Sequence, residues 1–222
     1  CTCLVCPSKF SNLYFETVHS KVCNFIRDLG IKNGPVFMQG FIDNDIIEIV
    51  KMNKYSEETG NVIARLFNLM VANELRGFCH ASASVLFVCF TELGFNPELF
   101  IGEANIENKY FDHSWICLND KIIDLAVALP LDYSDAVGPV ILDYDLYTKD
   151  KTAVKYGNKS GFEYDDITKN IINLNFVEYM DNAPFSENGL WEFVKIALNK
   201  NINIEKMRLT YQDVKRCVVQ NL

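Results

Sequence analysis

Apolar residues recur at helical spacing through the first third of the chain. Leu13, Val18, Val22, Phe25 and Ile26 mark one face of a helix over Ser11 to Leu29 that Gly30 stops, and Asp43 to Met52 reads as a shorter one. Gly34-Pro35 between them is a turn signal. Ser56-Glu57-Glu58 has the cap and first-turn acids of a helix start, and Val62, Leu66 and Met70 follow at fourfold spacing. The pattern breaks at Arg76-Gly77, after which an apolar, small-residue stretch over 79 to 93 predicts a helix beginning at Cys79.

The period then changes. Glu98 to Ile101, Tyr110 to Leu118, Lys121 to Val127 and Val140 to Leu146 are rich in β-branched and aromatic residues and predict strands. Lys149 to Asp166 is polar and Gly-containing, as expected of an exposed loop or edge hairpin. Asn188 to Leu198 returns to helix, and Thr210 is the expected cap of a last helix ending near Val219. Helices first, an antiparallel sheet in the middle and helices last predict an α+β fold rather than alternating βαβ units. The chain shows no internal repeat and no strong interior boundary. It reads as a single domain over 1–222, with a mostly helical part at 1–75, a helix-and-sheet core at 76–166 and a helical part at 167–222. A hydrophobic content of 49% in 222 residues suffices for a sizeable core.

Chemistry enters with a thiol, an imidazole and a carboxylate. A cysteine at a helix start faces free backbone N–H groups and the positive end of the helix dipole, which favours the thiolate of Cys79; Arg76 could add to the effect. His113 and Asp124 lie on the two arms of a hairpin whose two-residue turn is Asn119-Asp120. With Leu118 opposite Lys121, Trp115 falls opposite Asp124 and His113 opposite Ala126. His113 and Asp124 then share one face as diagonal neighbours, roughly 7–8 Å apart at Cα, and the carboxylate can hold the imidazole in one tautomer. Asp112 competes for that role, but strand neighbours point to opposite faces, which favours Asp124. His80 directly follows the thiol; adjacent helical residues do not face each other, so it is placed at the substrate rim rather than as the base. Trp115 is a further substrate-side candidate. The Cys79 backbone N–H is an expected oxyanion donor, with Gln39 and Asn73 as candidates for a second.

Arg76-Gly77-Phe78-Cys79 opening a helix, Gly94-Phe95-Asn96-Pro97 after it, a strand ending at Gly102, then Asp112-His113-Ser114-Trp115 and Asp124 resemble the core of the transglutaminase-like branch of the papain-like cysteine enzymes. The resemblance covers Arg76 to about Leu129. It implies a nucleophile helix packed on an antiparallel sheet, a Cys79, His113, Asp124 triad, and acyl transfer through a thioester. Two departures are the His after the nucleophile and the lack of an aromatic residue before Asp124; they bear on substrate more than on fold. Hydrolysis of an amide or peptide bond, as in a peptidase or deamidase, is the expected reaction. An amine acyltransferase and a non-catalytic binding protein of the same fold are the alternatives. A peptide or protein substrate is expected, and no cofactor.

Charge and cysteine usage narrow the classes. Lys+Arg of 21 against Asp+Glu of 29 gives a net charge of −8 with no basic stripe, which disfavours nucleic acid and anionic membrane as partners. No apolar run approaches the roughly 18 residues of a membrane span, so a soluble, cytoplasmic protein is expected, although a targeting segment ahead of Cys1 stays open. Of eight cysteines, Cys89, Cys117 and Cys217 sit in apolar stretches and are expected to be buried free thiols. Cys1, Cys3, Cys6 and Cys23 lack the paired spacing of zinc ligands, so no metal site is expected there. His19 lies within an amphipathic helix. Asp143-Tyr144-Asp145 lacks the other ligands of a calcium loop and is read as solvated loop charge.

Overall fold

The structure is a computed structural model that describes residues 43–131, 137–184 and 186–219. These residues belong to one compact unit beginning at Ile42. The expectations at Ser11 to Leu29, Cys1, Cys3, Cys6, His19, Cys23, the Gly34-Pro35 turn and Gln39 lie outside the described residues. Among the described residues the order is α1 (Asp43–Met52), α2 (Glu57–Ala72), α3 (Cys79–Glu92), β1 (Glu98–Ile106), β2 (Lys109–Leu118), β3 (Lys121–Asp124), a 3-10 turn (Ala126–Ala128), β4 (Val140–Ile141), β5 (Tyr144–Asp145), β6 (Lys155–Tyr156), α4 (Asp166–Asn173), α5 (Phe176–Asn182), α6 (Trp191–Leu198), α7 (Ile204–Tyr211) and β7 (Cys217–Val218). This is α+β architecture. The strand order is β5-β4-β3-β2-β1-β6, antiparallel throughout, with β7 added parallel to β1.

The helices start where the sequence offers oxygen to unpaired N–H groups. Ser56 Oγ accepts from the Thr59 N–H at the head of α2, whose apolar face buries Val62, Leu66 and Met70 completely. The middle helix, α3, is apolar nearly all round because it runs through the core: Val85, Leu86, Val88, Cys89 and Phe90 are fully buried. Ser82, Ser84 and Thr91 are tolerated there because each hydroxyl donates back to a helix carbonyl, at 3.2, 2.8 and 2.8 Å. Gly94, at φ +85, carries the chain out of α3, with the Phe95 N–H returning to the Phe90 carbonyl.

The hairpins follow their turns. Glu107-Asn108 and Asn119-Asp120 all adopt positive φ, as two-residue turns matching strand twist require, and pair Ile106 with Lys109 and Leu118 with Lys121. Four expectations need correction. The first strand does not end at Gly102 but runs on to Ile106, because β2 pairs with it along its whole length. The third strand stops at Asp124, whose side chain pulls the following backbone into the 3-10 turn. Val140 to Leu146 is not one strand but two short ones, folded at Leu142-Asp143 with φ of +52 and +74. The last helix is capped by Asn203 rather than Thr210 and ends at Tyr211; Cys217 and Val218 are strand.

Acidic residues expected in solvent do structural work at this fold. Asp145 is buried and accepts the N–H groups of Gly138, Tyr147 and Thr148, while Asp143 Oδ1 accepts from Ile122 N. A Cβ at Gly138 would collide with the Asp145 carboxylate and the Tyr147 backbone. Gly138→Ala should therefore destabilise the protein by about 1–3 kcal/mol, read as a lower midpoint in urea unfolding with an unchanged slope.

Candidate active site

Cys79 is the first residue of α3, and the loop before it is fixed from outside the helix. Gly77 adopts φ +62, donates its N–H to the Leu129 carbonyl at 3.0 Å, and sits so close to Leu131 that a Cβ would approach its side chain to 2.8 Å. Arg76 Nη1 donates to the Pro130 carbonyl at 3.0 Å. Arg76 thus ties this loop to the chain that follows Asp124. Phe78 makes no side-chain cap bond to the first N–H groups of α3, the donors that an oxyanion beside the thiol would meet.

His113 comes from β2. Its ring lies edge-on to Phe111 at 5.3 Å and 6.4 Å from the Tyr156 ring, on the strand face that also carries Trp115. Ser114 and Ile116 alternate to the α3 side. The β2–β3 ladder covers Ile116 to Leu118 only; at Asp124 the third strand leaves, and the tip of α3 reaches His113 there.

Asp124 is 2% exposed and uses both oxygens. Oδ2 accepts from His113 Nε2 at 2.7 Å and from the Tyr156 hydroxyl at 2.8 Å, and Oδ1 accepts from the Ala126 and Val127 N–H groups at 3.1 and 3.2 Å. A carboxylate only accepts, so Nε2 carries hydrogen and Nδ1 is the nitrogen left on the thiol's side of the ring. Asp112 points the other way, accepting the Asp165 N–H at 2.6 Å.

The electrostatics follow from this. Burial opposes the Cys79 thiolate, but the charges of His80 and His113 and their hydrogen bonds outweigh it and bring the thiol down to about 5. Burial likewise opposes the His113 cation, and Asp124 and then Cys79 outweigh it, raising the imidazole to about 10. Between those values the pair is thiolate and imidazolium. Burial, and then the Asp124 charge, keep the Tyr156 phenol protonated and donating.

No family model, no curated protein and no solved structure matches this chain.

The structure brings Cys79, His113 and Asp124 together and adds His80. Successive helical positions do not ordinarily meet, and the two nitrogens of this imidazole bond Ser114 on β2 and Thr168 on α4, while its charge helps to lower the Cys79 thiol. Trp115 is 4% exposed and stacked on Phe100 at 5.6 Å, and Asn73 is exposed at the end of α2, its amide donating to Leu69 O at 2.8 Å. Neither is presented to the thiol as a free donor. Cys89 is buried as expected, whereas Cys117 is half-buried and Cys217 exposed, because β7 lies at the sheet's outer edge. Among the described residues no group of His, Cys, Asp and Glu could hold a metal ion, and no helix is long and apolar enough to cross a membrane. Tyr156 was not legible as a site residue: it sits on a two-residue strand inside a stretch whose polarity reads as loop.

Proposed function

We propose that this chain is a cysteine-dependent acyl-transfer enzyme of the transglutaminase-like, papain-like class that hydrolyses an amide or peptide bond, as a peptidase or deamidase does. One observation carries the reading. A thiol at a helix start is brought down to about 5 by the charges of His80 and His113, and the His113 Nε2 is held by a buried, fully bonded carboxylate, the arrangement that nucleophilic acyl transfer needs. Cys79 attacks the carbonyl, the N–H groups at the α3 start take the developing oxyanion, His113 gives its proton to the leaving amine, and Asp124 with Tyr156 keeps the ring oriented. Water then releases the acyl group. Hydrolysis is proposed over transfer because the sequence holds nothing that would form a second acceptor site. A peptide or protein is the proposed substrate.

The test is selective labelling followed by trapping. Iodoacetamide at pH 6 should modify Cys79 ahead of Cys89, Cys117 and exposed Cys217, whose thiols are all pushed up, burial first. An ordinary thiol is roughly 0.3% thiolate at that pH. A peptide library should then give an acyl adduct on Cys79 by mass spectrometry. Equal labelling of Cys79 and Cys217 at pH 6 would remove the basis for the reading.

A further inference from the structure

Between the α4–α5 corner and the stretch leading into β7 lies a cleft of about 270 Å³, walled by Ile172, Leu174, Phe176, Val214 and Val218. Its charged lining residues are Lys215 and Arg216, both cations. The Arg216 guanidinium packs over the Phe176 and Tyr179 rings, 5.4 and 5.1 Å from their centroids, and its Nη1 donates to the Leu174 carbonyl at 3.0 Å. Its other terminal nitrogen, Nη2, is buried and has no acceptor among the described residues. Nor does any carboxylate among them lie within ion-pair distance of Arg216 or Lys215. Burial holds the Arg216 guanidinium below its ordinary pKa. Two rings thus cover a cation that lacks an acceptor in its own plane, a state that an anion in the cleft would relieve.

We propose that this cleft binds the C-terminal residue of a peptide that ends in a branched apolar side chain, its carboxylate on Arg216 and Lys215 and its side chain among Ile172, Leu174, Val214 and Val218. The site is independent of the acyl-transfer reading. Charge complementarity calls for an anion, and the walls decide its kind. A guanidinium edge matches a planar carboxylate, and with Nη1 committed to Leu174 the remaining donors suit a single negative charge rather than a phosphate, which brings nearly two charges and three acceptor oxygens. The Asn175 amide adds no donor or acceptor for such a group, because Oδ1 accepts from the Val177 N–H and Nδ2 donates to the Gln212 carbonyl. Sites for drug-sized ligands run to roughly 300–1,000 Å³. The cleft, at about 270 Å³, has room for one residue and not for a long acyl chain.

The experiment is a titration of the full chain, followed by NMR at the Phe176, Arg216 and Val218 resonances, with the tripeptide acetyl-Ala-Ala-Leu as free acid, with its C-terminal amide and with inorganic phosphate. The free acid should bind at least tenfold more tightly than the amide and than phosphate. Arg216→Met should abolish that preference, and Arg216→Lys, which keeps the charge but not the planar edge, should weaken it by less; thermal melts run alongside show that each variant is folded. Protein alkylated at Cys79 should bind the free acid unchanged, which separates the cleft from the thiol. Equal affinity for acid and amide in the wild-type chain would overturn the proposal without any variant. So would phosphate binding as tightly as the acid, which makes this a general anion site, or loss of binding on alkylation of Cys79, which places the peptide at the thiol instead. None of these results bears on whether Cys79 is a nucleophile, so the acyl-transfer reading survives a failure here.

Discussion

Replacing His113 with Ala should lower turnover of any acyl substrate by about 10³-fold or more, the range associated with losing a general acid–base group in a nucleophilic site. The same variant should move the Cys79 alkylation onset up from about pH 5, because the thiolate loses the charge of His113, one of the causes that lower it. The sign follows from the thiol being depressed: thiolate is present above about pH 5 in the wild type and must appear at higher pH once a stabilising charge is gone. The charge of His80 still lowers the thiol, so the onset should stop short of an ordinary thiol's. Turnover, by contrast, should collapse, since Asp124 and Tyr156 orient His113 and not His80.

Asp124 should produce the largest stability effect. Asp124→Ala strands the His113 Nε2–H, the Tyr156 hydroxyl and two backbone N–H groups in a site 2% exposed, and should cost about 3–5 kcal/mol by urea unfolding. Asp124→Asn should cost less, since the amide oxygen still serves the Ala126 and Val127 N–H groups and its nitrogen can donate to the Tyr156 oxygen. It presents a donor to His113, however, which favours the opposite tautomer. Activity should then fall by about 10⁴-fold while the melt changes little beside that of Asp124→Ala. Equal unfolding midpoints for the two variants would show that the bonds to Asp124 do not hold this corner together.

The parts of the site legible in sequence were those set by local rules. A two-residue turn fixes register, so Asn119-Asp120 was enough to place Leu118 against Lys121 and bring His113 and Asp124 to one face. The helix start at Cys79 followed from the break at Gly77. What escaped depends on chain segments far apart. Tyr156 reaches Asp124 from a two-residue edge strand, and Thr168 reaches His80 from α4, which has too few apolar residues to announce itself. The His80 bond to Ser114 likewise joins segments that lie far apart in sequence. The end of the chain misled for another reason: Val214, Cys217, Val218 and Val219 are as compatible with an apolar helix face as with the short strand that Cys217 and Val218 form.

The parallel strand β7 has a consequence for the order of folding. The β1–β2 hairpin closes across two residues and can form as soon as both arms exist, but Phe100 and Ile101 wait for Cys217 and Val218 from the far end of the described chain. During synthesis, β1 therefore presents open hydrogen-bonding groups beside Phe100 and Trp115 until nearly all of the described chain has emerged. Such an edge can recruit strands from other nascent copies. Chaperone occupancy and aggregation in this protein would thus be governed by the arrival of its last strand, while the segments that supply thiol, imidazole and carboxylate lie well upstream of it.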